Sequence, residues 1–290
     1  MNSSQLITAI QLHGSFPTSN DLFSTADFLS LFNHQLQIDI TPIMMKLNEE
    51  YFLQYKDFTI VQGSSYRIPK RAVGTNIRDL TLIDSNGNVS NISRCFEEDR
   101  ASEKTGYYML RNSVELSSNY TSGTLRMKYF ARPSELVATS ACAQISSIDT
   151  GTNQVIVSSA PATLANGTYI DFVQNSNPYD LLSMDVQISS ISGTTINFAS
   201  LPTDLAVGDW VCLALQSPVP MVPEEMHPVL VQSVLCKTLA TKKDKQWENE
   251  MAVLKQNKED AINMLDPRVE NNSVKMRSGK LLSYFSQRRY

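Results

Sequence analysis

The side chains with chemical reach in this 290-residue chain are three histidines, four cysteines and a few short acidic runs. Their spacing decides what they could do together. Histidine is the usual proton carrier near neutral pH, and a catalytic one needs a nucleophile and an orienting partner around it. His13, His34 and His227 stand far apart, and none falls in an HExxH, GxSxG or local Cys-His pattern. Cys95, Cys142, Cys212 and Cys236 form no CxxC pair. Zinc wants four ligands at short, regular spacings, so these cysteines read as small buried hydrophobes in a reducing compartment. The acidic runs Glu49-Glu50, Glu97-Glu98-Asp99, Glu224-Glu225 and Glu259-Asp260 place neighbours about 100° apart on a helix, which suits solvated faces and helix starts. No GxxxxGK[ST] loop and no GxGxxG occurs; the glycines are isolated turn markers. The expectation is a non-enzyme with no cofactor and no metal site.

The elements that would carry a non-catalytic function are more legible. Ser24 and Asp27 form a capping-box pattern, and Phe28, Leu31 and Phe32 follow at helical spacing, so a helix is expected over residues 24–36. Thr41-Pro42 signals a second helix through Met44, Met45, Leu47, Tyr51, Phe52 and Tyr55. From Phe58 to Phe130 short strands alternate with turns such as Asp84-Ser85-Asn86-Gly87, and a meander of sequence neighbours is expected. Residues 143–215 carry six aspartates and no Lys or Arg. Six short strands there, separated by turns such as Asn166-Gly167 and Ser192-Gly193, indicate a small β-barrel or sandwich.

The prolines at 218, 220 and 223 make a stiff strap. After it, Leu230, Val231, Val234, Leu235 and Leu239 mark one helix, and Trp247, Met251, Leu254, Ala261 and Leu265 mark a second, antiparallel one. The expected fold class is α+β: a helical bundle with an antiparallel β-meander and an inserted small β-barrel or sandwich domain. The expected division is 1–142 for the N-terminal helices and meander, 143–215 for the inserted β-domain, 216–265 for the strap and helical hairpin, and 266–290 for an extended basic tail. From Arg268 to Tyr290 it holds six basic side chains against one acidic, and fully extended those 23 residues could reach about 75 Å. Its apolar cluster of Leu281, Leu282, Tyr284 and Phe285 suits a segment that folds on docking. The net charge of −4 offers no broad basic face for nucleic acid. No run of about 20 apolar residues predicts a bilayer span, and the first residues show no signal-peptide pattern.

Four stretches taken together carry a resemblance: YFLQY at 51–55, YRIPKRAVGTNIR at 66–78, GTLRMKYFARPSEL at 123–136, and HPVL at 227–230 opening the helical hairpin. The combination resembles the head-to-tail adaptor (connector) proteins of tailed bacteriophages. The resemblance implies a virion protein of the neck region, assembled in the host cytoplasm as a ring, twelvefold in that family. Such a ring joins portal to tail and lets double-stranded DNA pass without specific binding. It also implies ring contacts through Leu230, Val234, Trp247, Met251 and Leu254. Docking on the portal would fall to Arg268, Lys275, Arg277, Lys280, Leu281, Leu282, Tyr284, Phe285, Arg288 and Arg289. Partners would be portal protein, copies of the chain, and tail nozzle or fibre proteins, with no membrane. The alternative is a tail or baseplate protein whose β-domain binds a carbohydrate or receptor.

Overall fold

The computed structural model describes residues 1–16, 23–96, 98, 105–176 and 180–265. Helices occur at two places among them. The first comprises α1 (Ser3–His13), α2 (Thr25–Gln35) and α3 (Thr41–Leu47), and the second α4 (Met226–Lys242) and α5 (Trp247–Leu265). Strands occupy the stretch between. The expected helical bundle is therefore wrong: the chain is a mixed fold, largely β, with two small helical regions and a closed barrel. The misreading has a physical source at Asn48, which ends α3 in an extended conformation while its side chain caps the 3-10 turn Glu49–Phe52. Tyr51, Phe52 and Tyr55 thus leave the helix, and Tyr55 enters strand β1 (Leu53–Thr59).

α2 and α3 are one continuous helical run joined by a π-helical turn, Leu36–Ile40. Phe28, Phe32, Leu36, Ile40 and Met44 are all buried at a strict interval of four. On an α-helix a spacing of four drifts about 40° per step, and the wider turn takes back part of that drift. Thr41 closes the turn, donating both its backbone N–H and its hydroxyl (2.6 Å) to the Leu36 carbonyl. Pro42, which has no N–H to give, follows directly. α1 was not anticipated at all; Asn2 and Gln5 form its capping box, and Leu6 and Ile10 reach the core.

The first sheet is not the expected meander. Its order is β1-β7-β3-β4, with β3 at Ala72–Ile83, β4 at Val89–Asn91 and β7 at Thr124–Ala131. The last strand in sequence thus inserts between β1 and β3. β7 buries every second residue, Leu125, Met127, Tyr129 and Ala131; a strand with one fully apolar face belongs in the sheet centre, where both edges are paired. β2 (Ser65–Arg67), β6 (Ser113–Leu116) and β5 (Tyr107–Leu110) form a second sheet that closes over the same core.

Residues 143–213 close into a six-stranded antiparallel barrel, order β10-β13-β12-β11-β14-β9. These strands are β9 (Ala143–Asp149), β10 (Gln154–Val157), β11 (Tyr169–Val173), β12 (Leu181–Ser192), β13 (Thr195–Phe198) and β14 (Trp210–Leu213). Inward-facing Ile145, Val155, Ile170, Phe172, Ile188, Ile196 and Phe198 fill it, with Phe172 and Phe198 edge to face at 5.1 Å. β12 is longer than its apolar pattern suggests, because it serves both β11 and β13. Its ladder to β11 shifts register near Asp185, which holds a left-handed φ of 55°, the kind of bend that barrel closure requires.

A short parallel pair, β8 (Glu135–Leu136) with β15 (Gln216–Ser217), ties the parts together. On the free edge of β8, Asn33 from α2 accepts from the Leu136 N–H and donates to its carbonyl, at 2.7 and 2.9 Å. The proline strap then runs inward, with Val219 and Val222 buried and the Pro218 carbonyl accepting from the Ser3 N–H.

Candidate assembly surface

α4 buries twelve of its seventeen residues. Leu230 and Val234 are fully buried inside the chain's own core, with Leu6, Phe28 and Phe32 in the same cluster. Their expected role as ring contacts is corrected accordingly, because they hold this chain together. α5 is different: only Leu254 and Ala261 are buried, while Trp247 and Met251 are 39% and 44% exposed. Met264, at its far end, is exposed as well. The segment with the expected docking residues Arg268, Lys275, Arg277, Lys280, Leu281, Leu282, Tyr284, Phe285, Arg288 and Arg289 lies outside the described residues.

Between the two helices runs a groove of about 300 Å³. Trp247, Met251 and Leu254 form one wall, stacked at intervals of four and three along α5. Ser233, Cys236 and Ala240 of α4 line it opposite. Gln35 and Asp39, from the α2 helix and the π turn, close one end, where Lys258 reaches Asp39 at 2.6 Å. The Ser233 hydroxyl lies 2.8 Å from Gln35 Oε1 and 3.0 Å from Asp39 Oδ2. The Gln35 Nε2 has no hydrogen-bond partner although the residue is buried. Gln232 braces the hairpin from outside the groove by donating to the Glu250 carboxylate at 2.6 Å.

This arrangement can bind but has little to react with. Burial, reinforced by the nearby Glu250 charge, pushes the Cys236 thiol up to about 11, so it carries almost no thiolate at neutral pH. What the groove offers is apolar surface plus one buried amide edge without a partner. An apolar side chain bearing a hydrogen-bonding group would satisfy both. Gln35, Ser233, Asp39 and Lys258 were invisible as a group in the sequence. They come from separate elements, and nothing in their local spacing signals convergence.

The histidines do not converge either. His13 and His34 are exposed, and His227 is fully buried at the start of α4. Its Nε2 donates to the Val222 carbonyl at 3.2 Å, which leaves Nδ1 to accept from the Met1 ammonium at 2.8 Å. Burial, assisted by that ammonium, lowers its pKa to about 4. It stays neutral and structural at pH 7. Among the described residues no group of His, Cys, Asp and Glu could hold a metal ion, and no helix is long and apolar enough to cross a membrane.

The barrel is fastened to the first sheet by a closed ionic cluster. Arg71, buried at the entry to β3, donates to Asp171 at 2.6 Å and to Asp185 at 3.0 Å. Asp171 is fully buried and also accepts the backbone N–H groups of Asp185 and Leu215. Burial pushes its carboxyl above the ordinary range, while the Arg71 charge and the two backbone donors oppose that push. Every polar atom of Asp171 is engaged, so this cluster is a fastening and offers no open site.

The chain matches no protein-family model and no curated protein.

Proposed function

We propose that this chain is a structural protein of a tailed-phage virion, and that it assembles with copies of itself into a ring joining portal to tail. The observation that supports this reading most is the open groove of the α4–α5 hairpin. A half-exposed Trp and Met above a buried amide edge without a partner form a surface that another chain would complete. Trp247 and Met251 are the anchors, Leu254 is the floor, and Leu230 and Val234 support them from the core. The segment 266–290 follows α5 directly and is assigned to portal docking, its basic and aromatic side chains folding onto an acidic surface. The barrel, fastened by Arg71, is an accessory unit beside the ring.

The test is electron microscopy of negatively stained full-length protein mixed with a tailed-phage portal ring. A ring stacked on the portal is expected, and deletion of residues 266–290 should abolish the stacking. Unchanged affinity after that deletion contradicts the docking role, and failure to form any ring with portal contradicts the adaptor reading itself.

A further inference from the structure

Ser134 lies between Pro133 and β8, where the helical layer, the first sheet and the strap meet. It is 4% exposed, and its hydroxyl has no hydrogen-bond partner. It lines a crevice of about 250 Å³ together with Asn33, Lys70, Arg132, Glu135 and Leu215. Asn33 holds the Leu136 backbone with both ends of its amide and makes no bond to Ser134. Lys70 is exposed and makes no ion pair with any described residue. Arg132 commits one guanidinium nitrogen to the Ala72 carbonyl at 3.0 Å; the rest of its fork makes no ion pair among the described residues. Glu135, the one carboxylate of the lining, is exposed and pairs with neither cation.

A buried donor without an acceptor thus sits beside two exposed cations that make no ion pair among the described residues. A water molecule could satisfy the hydroxyl; an oxyanion would do so and also gain charge-assisted hydrogen bonds from the two exposed cations. We propose that this crevice is a binding site for an oxyanion, a phosphate or carboxylate group. Ser134 would donate to it from the interior, and Arg132 and Lys70 would supply charge-assisted hydrogen bonds from the exposed side. A second hollow of about 220 Å³ continues along the same Arg132-Pro133 segment, lined by Gln37, Thr41, Val73 and Gly74. It leaves room for a ligand larger than a bare ion.

Isothermal titration of the full chain with inorganic phosphate, and separately with acetate, at constant ionic strength tests the site. Saturable binding of one anion per chain is expected. Tighter binding of phosphate identifies a phosphate ligand, and tighter binding of acetate identifies an acidic side chain or terminus. Lys70→Gln and Ser134→Ala should each weaken binding about tenfold, the loss of one charge-assisted contact. Ser134→Ala carries a second readout. Removing a hydroxyl that has no partner should not lower the melting temperature of the unliganded protein, yet it should remove the rise in melting temperature that the anion produces. Absence of saturable binding for both anions, or wild-type affinity in both variants, overturns the proposal.

Discussion

α4 and α5 are neighbours in one hairpin, yet they meet their surroundings in opposite ways. α4 is enclosed by α1, α2, the π turn, the strap and α5, and its polar residues are enclosed with it: His227, Gln232, Ser233 and Thr238 are buried. Thr238 returns its hydroxyl to the Val234 carbonyl, and His227 finds a backbone acceptor. α5 packs by two buried residues and leaves Trp247, Met251, Val253 and Met264 open to solvent. A helix that a chain finishes by itself is a core. One left half-finished, beside a groove with an amide edge lacking a partner, is the surface we propose for assembly. The pattern along each helix already differs: α4 is apolar nearly all round, as an enclosed helix is, whereas α5 carries a one-sided stripe.

The contrast predicts graded effects. Leu230→Ala should be the most costly, about 3 kcal/mol, because it opens a cavity where the side chain is completely enclosed. Chemical denaturation would show it as a lower midpoint with an unchanged slope. The second effect belongs to His227. In the unfolded chain it takes up a proton near its ordinary pKa of 6.5, but in the fold only near 4. The unfolded state therefore binds the extra proton between these values. The stabilisation from the neutral buried imidazole is complete above pH 6.5 and is lost as pH falls toward 4, by about 3 kcal/mol at most. His227→Gln, which does not titrate, should flatten the stability profile across that window.

Smaller effects are expected on α5. Replacing Trp247 and Met251 together with serine should cost about 2 kcal/mol in the isolated chain, less than Leu230→Ala although two side chains are removed, since both are already substantially exposed. The same double substitution should remove assembly. If it unfolds the chain as severely as Leu230→Ala, the distinction between core helix and surface helix fails. Lys258→Met removes the partner of Asp39 in a partly buried pair and should cost about 1 kcal/mol.

Much of the barrel was legible in sequence. β10 and β13 bury every second residue, and positive-φ turns sit at Gly167 and Gly193, where the chain must reverse. Ser24 and Asp27 likewise announce α2, because a capping box is a local interaction. The strand order of the first sheet was not legible. Inserting β7 between β1 and β3 depends on which apolar faces meet across the core, and neighbouring residues do not encode that. The helical stripe did locate Trp247 and Met251, but it equally selected Leu230 and Val234. What separates them is the rest of the helix: α4 is apolar nearly all round, whereas α5 is polar outside its stripe. Ser134 and Arg71 lie inside the stretches 123–136 and 66–78 that carry the family resemblance, yet neither stood out. Their significance comes from partners, present or missing, on distant elements.

The α5 side of the hairpin is the surface we propose for assembly. Native mass measurement of the full chain with and without the portal ring, for the wild type and for the Trp247→Ser, Met251→Ser double variant, tests it most directly. A ring-sized assembly is expected for the wild type with portal and only monomer for the variant. A wild type that stays monomeric with portal present, or a variant that assembles equally well, contradicts it.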